Sequence, residues 1–138
     1  MDKLTSQERS ENMRRIRSKG MKPELSVRSL VHRLGYRYRL HDKNLPGKPD
    51  LVFRSRRKVI LVHGCFWHQH DSPACKITRK PKSNTTYWSA KLRRNVARDR
   101  QHLRSLSQSG WKALIVWECE LADETVLTKR LIRFLRQR

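Results

Sequence analysis

The chain has 138 residues, and its 33 lysines and arginines outnumber its 12 aspartates and glutamates to give a formal net charge of +21 at pH 7. No apolar run approaches the roughly 20 residues that cross a bilayer, and the N-terminus lacks the apolar core of a signal peptide, which favours a cytoplasmic protein. A compact domain tolerates such a charge best beside a polyanion, so nucleic acid is the expected partner.

The first predicted element is a short basic helix. Thr5 and Glu8 form a capping box at its start, and Gly20 is a plausible end. Between them, Met13 and Ile16 stand among arginines, too few apolar residues for a core helix. The segment is either a solvated N-terminal arm or an arm lying along a duplex, with these two side chains as apolar probes.

A second helix begins at Pro23, because proline suits the first helical turn, and ends near Gly35. Its apolar residues recur at i, i+3, i+4 and i+7 and predict one buried stripe. They are Val27, Leu30, Val31 and Leu34. Glu24 at the helix start either interacts with the helix dipole or faces an active site. The alternation of apolar and basic residues over 36–40 predicts a half-buried strand.

A hairpin is predicted next. The loop 41–49 leads to Asp50, which begins a strand over 50–53, and residues 55–57 can turn the chain. The continuous apolar run 59–62 is typical of a strand buried on both faces. Because a hairpin brings the start of one strand beside the end of the next, Asp50 is expected to lie near residues 62–64.

The C-terminal half predicts a long helix, a strand and a last helix. The long helix covers Thr85–Gln108 and ends at Gly110. An apolar strand follows over 111–117, and Asp123 caps the last helix. Its stripe consists of Leu127, Leu131, Phe134 and Leu135. The pattern predicts one α/β domain with a mixed sheet flanked by helices, in which the crossover through the long helix can make the last strand parallel to its neighbour.

A set of thiols and an imidazole predicts a metal site. The odd number of three cysteines argues against a disulfide framework and for reduced thiols available to a metal. Three cysteines and one histidine are a common ligand set of structural zinc. The set here is Cys65, His70, Cys75 and Cys119. His68 or Asp71 could replace His70, and Cys119 could instead be a buried apolar group.

Asp50 and His68 form a second constellation with residues 62–64. An aspartate at a strand start beside a metal-facing position is the frame of a Mg²⁺-dependent phosphodiesterase, in which a nearby histidine takes the proton of a metal-activated water. The simpler interpretation is that Asp50 caps a turn.

A third constellation is aromatic. Trp111 and Trp117 flank a strand and are expected in the core. Phe66 and Trp67 are adjacent and cannot both point into one core from a regular strand, so one or both are available, with Trp88, to stack on bases.

Four consecutive motifs carry a resemblance to a known family. They are NLPGKPDLVF at residues 44–53, HGCFWH at 63–68, YWSAKLRRNVARDR at 87–100 and GWKALIVWECE at 110–120. Together they resemble the very-short-patch repair (Vsr) endonucleases of bacteria over residues 14–120. The resemblance implies a restriction-endonuclease-like fold and a nick 5′ of the mispaired thymine in T:G mismatches that arise from deaminated 5-methylcytosine.

The resemblance also implies roles for individual residues. Asp50 corresponds to the metal-binding aspartate and Val62 to a residue whose backbone carbonyl helps to bind Mg²⁺. His68 corresponds to the general base, with His63 and Glu24 in support. The structural zinc set corresponds to Cys65, His70, Cys75 and Cys119, the aromatic wedge to Phe66, Trp67 and Trp88, and the minor-groove probes to Met13 and Ile16.

The expected organisation follows from these roles. Residues 1–20 form a basic arm that contacts DNA, and residues 21–138 form the nuclease domain with its structural zinc site. The substrate is double-stranded DNA with a T:G mismatch, the enzyme acts as a monomer, and a MutL-type mismatch-repair protein is a candidate partner. A non-catalytic mismatch-sensing protein or an RNA-binding module would explain charge, zinc and aromatics, but would leave Asp50 and His68 without a role.

Overall fold

The computed structural model describes residues 22–40, 42–72, 75 and 85–137. The N-terminal arm predicted for residues 1–20, including Met13 and Ile16, lies outside these described residues. Within them the helices are α1 (Pro23–Arg33), α2 (Thr85–Gln108) and α3 (Glu124–Arg136). Short 3₁₀ turns cover Arg54–Arg56 and Glu118–Ala122. None of these helices is both long and apolar enough to cross a membrane.

A four-stranded mixed sheet forms the centre of the fold. Its strands, in spatial as well as chain order, are β1 (Arg39–Leu40), β2 (Leu51–Phe53), β3 (Lys58–His63) and β4 (Lys112–Trp117). The first three strands pair antiparallel, and β4 pairs parallel with β3. The predicted crossover through the long helix is therefore confirmed.

Helices cover both faces of the sheet. On one face, α1 and α3 pack through alternate strand residues such as Leu51 and Ile60, together with the buried stripe Leu127, Leu131 and Leu135. On the other face, Leu106 of α2 packs against Val52, Val59 and Leu61. Residues of opposite parity in β2 and β3 thus enter two separate cores, which explains why β3 reads as a continuous apolar run.

The long helix has the bounds that its apolar stripe predicts. Leu92 and Leu106 are buried, while most of its arginines are exposed. Gly110 adopts φ +85° just beyond the end of α2, a left-handed conformation that glycine reaches without strain. The Asp123 carboxylate accepts a hydrogen bond from the amide of Val126 at 3.2 Å, so the predicted cap of α3 is also confirmed.

The strand predicted for 36–40 is wrong in extent and burial. Only Arg39 and Leu40 pair with β2, and Leu40 is 39% exposed at the edge of the sheet. The tyrosines that produce the alternation precede the strand. The Tyr38 hydroxyl donates to the carbonyl of Arg28 at 3.3 Å, so this residue packs against α1.

Lys58 is an unusual member of β3, because only 1% of it is exposed. Its ammonium group donates to the carbonyls of Phe134 and Gln137 and so ties the central strand to the C-terminal end of α3. Burial, followed by the charges of Lys112 and Arg56, lowers the pKa of Lys58 below its ordinary 10.5.

Candidate active site and thiol cluster

The hairpin of β2 and β3 brings Asp50 to the far end of β3, as its geometry predicts. The Asp50 amide donates to the carbonyl of Ile60 at 3.1 Å. The amide of Val62 in turn donates to Oδ2 of Asp50 at 2.6 Å. The aspartate is therefore held beside the backbone of Val62, and its carboxylate opens into a cavity of about 320 Å³.

Two histidines from the end of β3 and the following loop line this cavity. The rings of His63 and His68 stack with centroids 3.8 Å apart and an interplanar angle of 8°. His63 is only 5% exposed, and its Nδ1 has no hydrogen-bond partner among the described residues. Burial, and then the neighbouring His68, lowers the pKa of His63 from 6.5 to about 4 against an opposing effect of Asp99. His63 is thus neutral near pH 7.

Asp99 of α2 completes the site and was not predicted from the sequence. Its Oδ2 lies 2.6 Å from Nδ1 of His68. A carboxylate at this distance holds the proton on Nδ1 and leaves Nε2 of the neutral ring free to accept another. The sequence has no spacing signal for this contact, because Asp99 and His68 lie 31 residues apart on different elements.

Glu24 lies in the first turn of α1. Its carboxylate is 3.7 Å from the guanidinium of Arg28 one turn later, and it is not among the described residues that line the cavity. The sequence left open whether Glu24 serves the helix start or an active site, and this position in the first turn is consistent with the dipole interaction.

The predicted metal ligands meet in one cluster. The ligand atoms of Cys65, His70, Cys75 and Cys119 all lie within 4.8 Å of one another. His70 Nδ1 is 3.7 Å from Sγ of Cys65 and 3.3 Å from Sγ of Cys119. Ligand atoms around a tetrahedral zinc are about 3.3–3.8 Å apart, given bonds of about 2.0–2.3 Å. These two spacings therefore fit zinc.

Burial disfavours the charged form of two thiols in the cluster. Burial raises the pKa of the Cys65 thiol from 9.0 to about 12, and burial raises the pKa of Cys119 as well. A divalent metal would supply the positive charge that buried thiolates need. Of the alternatives that the sequence left open, His68 and Asp71 lie outside this cluster. Two supports were not predicted: Glu118, which accepts from the Cys65 amide at 3.3 Å, and Trp117, which stacks on His70 at 4.2 Å.

The expectation that Trp117 is an ordinary core residue is therefore wrong in part. It is half-buried at the end of β4, and besides stacking on His70 it meets the His63 ring edge-on at 5.2 Å. Because β3 and β4 run parallel and end side by side, Trp117 lies between His63 of the cavity and His70 of the thiol cluster. Trp111 packs as expected against the core on the α2 face.

Three aromatic side chains form a separate cluster, in which Phe66 and Trp88 are half-buried and Trp67 is exposed. Phe66 and Trp67 have ring centroids 5.1 Å apart, and each ring is 5.8 Å from that of Trp88. The ammonium of Lys91 lies over the rings of Trp67 and Trp88 at 5.3 and 5.6 Å. Trp67 is 47% exposed. A large exposed aromatic beside a lysine is suited to base stacking and to phosphate contact.

The fold and cavity first define a class. An aspartate at the start of one central strand, a neighbouring strand that ends in the cavity, and helices on both faces are the arrangement of a restriction-endonuclease-like α/β nuclease. The family described as "DNA mismatch endonuclease Vsr" matches residues 1–74 of the chain. The chain belongs to this family and is an endonuclease.

Named relatives agree with this assignment. "Type II nicking enzyme V.XorIIP" of Xanthomonas oryzae is 49% identical over 134 residues, which cover 97% of this chain and 96% of the relative. "Type II nicking enzyme V.NmeAIP" of Neisseria meningitidis is 40% identical, with 99% and 95% covered. "DNA mismatch endonuclease Vsr" of Escherichia coli is 42% identical, with 92% and 78% covered.

Proposed function

We propose that this protein nicks one strand of duplex DNA 5′ of the mispaired thymine in T:G mismatches produced by deamination of 5-methylcytosine, in a Mg²⁺-dependent reaction. The observation that carries the proposal is the placement of Asp50, His68 and Asp99 around one cavity, with His68 directly following Trp67, the exposed member of the aromatic cluster. The histidine proposed to act on the phosphate is therefore next in the chain to the tryptophan proposed to stack on bases.

The residues around the cavity have distinct tasks. Asp50 and the backbone carbonyl of Val62 would hold Mg²⁺, because both offer the hard oxygen ligands that this ion prefers. When bound, the ion neutralises the scissile phosphate and lowers the pKa of a water. Nε2 of His68 accepts the proton of the attacking water while Asp99 fixes the ring by its 2.6 Å contact with Nδ1. The water oxygen bonds to phosphorus as the bond between phosphorus and one deoxyribose oxygen breaks, and that oxygen leaves and takes up a proton from solvent.

The remaining predicted residues surround this step. His63 is neutral and supports the ring of His68 by stacking. Glu24, in the first turn of α1, supports the site in the substrate complex. Zn²⁺ in the thiol cluster would hold the loop after β3 and would take no part in the chemistry, since Trp117 lies between the cluster and the cavity.

Selectivity for the mismatch resides in the aromatic cluster and the N-terminal arm. Phe66, Trp67 and Trp88 enter the base stack from the major-groove side, while Met13 and Ile16 contact the minor groove. A mispaired step is easier to unstack than a matched one, so insertion costs less at T:G. Lysines and arginines contact phosphates in every sequence and contribute affinity without selectivity.

A nicking assay tests the proposal. A duplex with one T:G pair and its matched T:A duplex are incubated with the protein in Mg²⁺ or in EDTA, and the cut strand and position are read on a denaturing gel. We expect one nick, 5′ of the mispaired thymine, only with T:G and Mg²⁺. Persistent binding without any Mg²⁺-dependent nick would identify a non-catalytic mismatch-sensing protein instead.

Asp50→Asn distinguishes a catalytic aspartate from a structural one. We expect its nicking rate to fall by roughly 10³-fold, because metal assistance is worth several kcal/mol of transition-state stabilisation. Binding to T:G and zinc content should be retained. Asp71→Asn is the control for loss of one negative charge, since Asp71 is an exposed carboxylate in the loop after β3 that lines neither the cavity nor the thiol cluster. If the Asp50→Asn protein fails to fold, Asp50 has a structural role and caps the turn.

The proposal includes a monomeric enzyme and stimulation by a MutL-type mismatch-repair protein. Sedimentation of the protein with and without the T:G duplex checks the first, with one protein per duplex expected. Nicking rates with and without the repair protein check the second, and an unchanged rate and affinity would remove that partner.

A further inference from the structure

Three basic side chains line the cavity and have no role in the proposed reaction. Lys48 comes from the loop before β2, while Arg98 and His102 come from α2. The two α2 residues are four positions apart and therefore lie on one face of the helix. They belong to the same wall of the cavity as Asp99, whereas Val62 and His63 form the wall contributed by β3.

The backbone that carries Lys48 is held in a restricted conformation against His102. Gly47 and Lys48 have φ values of +78° and +44°. A Cβ atom at Gly47 would lie 3.1 Å from Cβ and 3.2 Å from Nδ1 of His102. A lysine in the left-handed region is uncommon, and such residues cluster at functional sites. The close approach of the glycine to the histidine ring thus fixes where the Lys48 backbone meets the cavity.

The charges of the cavity favour an anion on this side. Within the residues that the structure describes, neither Lys48 nor Arg98 forms a salt bridge. The carboxylates of the described cavity residues contact other groups: Asp50 accepts from the Val62 amide, and Asp99 contacts His68. The two exposed cations therefore face the cavity with their charge available to a ligand.

We propose that Lys48 and Arg98, backed by His102, form a subsite for one non-scissile phosphodiester of the nicked strand, next to the phosphate that is cut. The proposal rests on the proposed function for the position of the scissile phosphate beside Asp50 and His68. The subsite fixes the register of the strand, so that one phosphate alone reaches the reacting groups. Arg98 and Lys48 are positioning residues here, and neither takes part in the chemical step.

The test combines charge-removing variants with single neutral phosphates. Arg98→Gln and Lys48→Gln are compared with Arg100→Gln, a control that removes an equal charge from an exposed position two residues along α2, on a different face of the helix. Each protein is titrated, without Mg²⁺, against T:G duplexes that carry one methylphosphonate at successive positions of the nicked strand. Equilibrium binding is the readout, so the subsite is tested even if no duplex is cut.

We expect Arg98→Gln to bind the all-phosphate duplex about 10-fold more weakly and to reduce the salt slope of log K by about one. This penalty should vanish at a single methylphosphonate position next to the cut. Lys48→Gln should lose its penalty at the same position, whereas the small effect of Arg100→Gln should be the same at every position. A penalty for Arg98→Gln that is equal at all positions, or equal to that of Arg100→Gln, would overturn the proposal.

Nicking then separates register from affinity. At saturating enzyme, with Mg²⁺, Arg98→Gln should cut a measurable fraction of the strands one nucleotide away from the normal site, because the strand has lost its anchor. Cutting at the normal site alone, together with position-independent binding, would reduce Arg98 to a general contributor of positive charge. Absence of nicking by the unmodified protein would instead refute the proposed function and leave the binding result to decide the subsite.

Discussion

Removal of the Asp99 charge is the sharpest test of the histidine site. Asp99→Asn keeps the shape of the side chain but replaces the carboxylate that lies 2.6 Å from Nδ1 of His68. The two side chains are 19% and 29% exposed, so the contact is partly screened. A hydrogen bond to a charged group is worth about 1.5–3 kcal/mol. At about 1.4 kcal/mol per factor of ten, we expect the nicking rate to fall between about 10- and 150-fold.

The assay for this prediction is single-turnover nicking of a T:G duplex at saturating enzyme, with the dissociation constant measured separately. We expect the rate to fall while affinity and zinc content stay unchanged, since Asp99 contacts neither the aromatic cluster nor the thiols in any described interaction. Asp123→Asn, which removes the capping carboxylate of α3 far from the cavity, controls for loss of one negative charge. A rate within threefold of the unmodified protein would refute the role of Asp99 in orienting His68.

Three further predictions concern stability, the metal and the aromatic cluster. Lys58→Met should lower the free energy of unfolding by about 1–3 kcal/mol, because two carbonyls lose a buried donor, while Lys112→Met on the exposed strand neighbour should change it by less than about 0.5 kcal/mol. Burial lowers the pKa of Lys58, so between that pKa and 10.5 the folded protein binds fewer protons than the unfolded chain. The free energy of unfolding should therefore rise with pH in this range, relative to that of Lys58→Met, when both are measured by urea titration. Elemental analysis should find one zinc per chain, and Cys119→Ser or a strong chelator should remove it and lower the melting temperature; an unchanged melting temperature would contradict a structural metal. Trp67→Ala should weaken T:G binding by about 1–3 kcal/mol, seen by fluorescence anisotropy, with a smaller loss on matched duplex; equal losses would remove this residue from mismatch selection.

The elements that the sequence predicts well are those whose signal is local and repeated. The helix α2 has 24 residues with a repeated apolar spacing and ends just before Gly110, so its bounds agree with the prediction. The hairpin follows from a turn between two apolar runs and correctly brings Asp50 to Val62. The short strand β1 was overestimated, because tyrosines that pack against α1 produce the same alternation as a strand.

The parts that the sequence did not predict depend on the rotation of one element against another. Asp99 reaches His68 across 31 residues, and the contact depends on which face of α2 is turned to the sheet. Trp117 contacts His63 and His70 only because β3 and β4 end together in parallel register. Such contacts have no fixed sequence spacing. The cluster of Cys65, His70, Cys75 and Cys119 could be predicted, because cysteine and histidine are the residue types that bind metals such as zinc.

The loop after β3 carries both a residue proposed to recognise the mismatch, Trp67, and the proposed general base, His68, and contacts with other elements hold it in place. One end continues from β3, and the thiol cluster ties it to Cys119 beyond β4. On its other side, Asn95 of α2 donates to the carbonyl of Trp67 at 3.2 Å, one turn of helix before Asp99 meets His68. Because Trp67 and His68 are neighbours in the chain and both are held by α2, a shift of the exposed tryptophan must also move the histidine. Loss of the metal should therefore weaken mismatch binding and nicking together, whereas loss of the Asp99 charge should affect nicking alone.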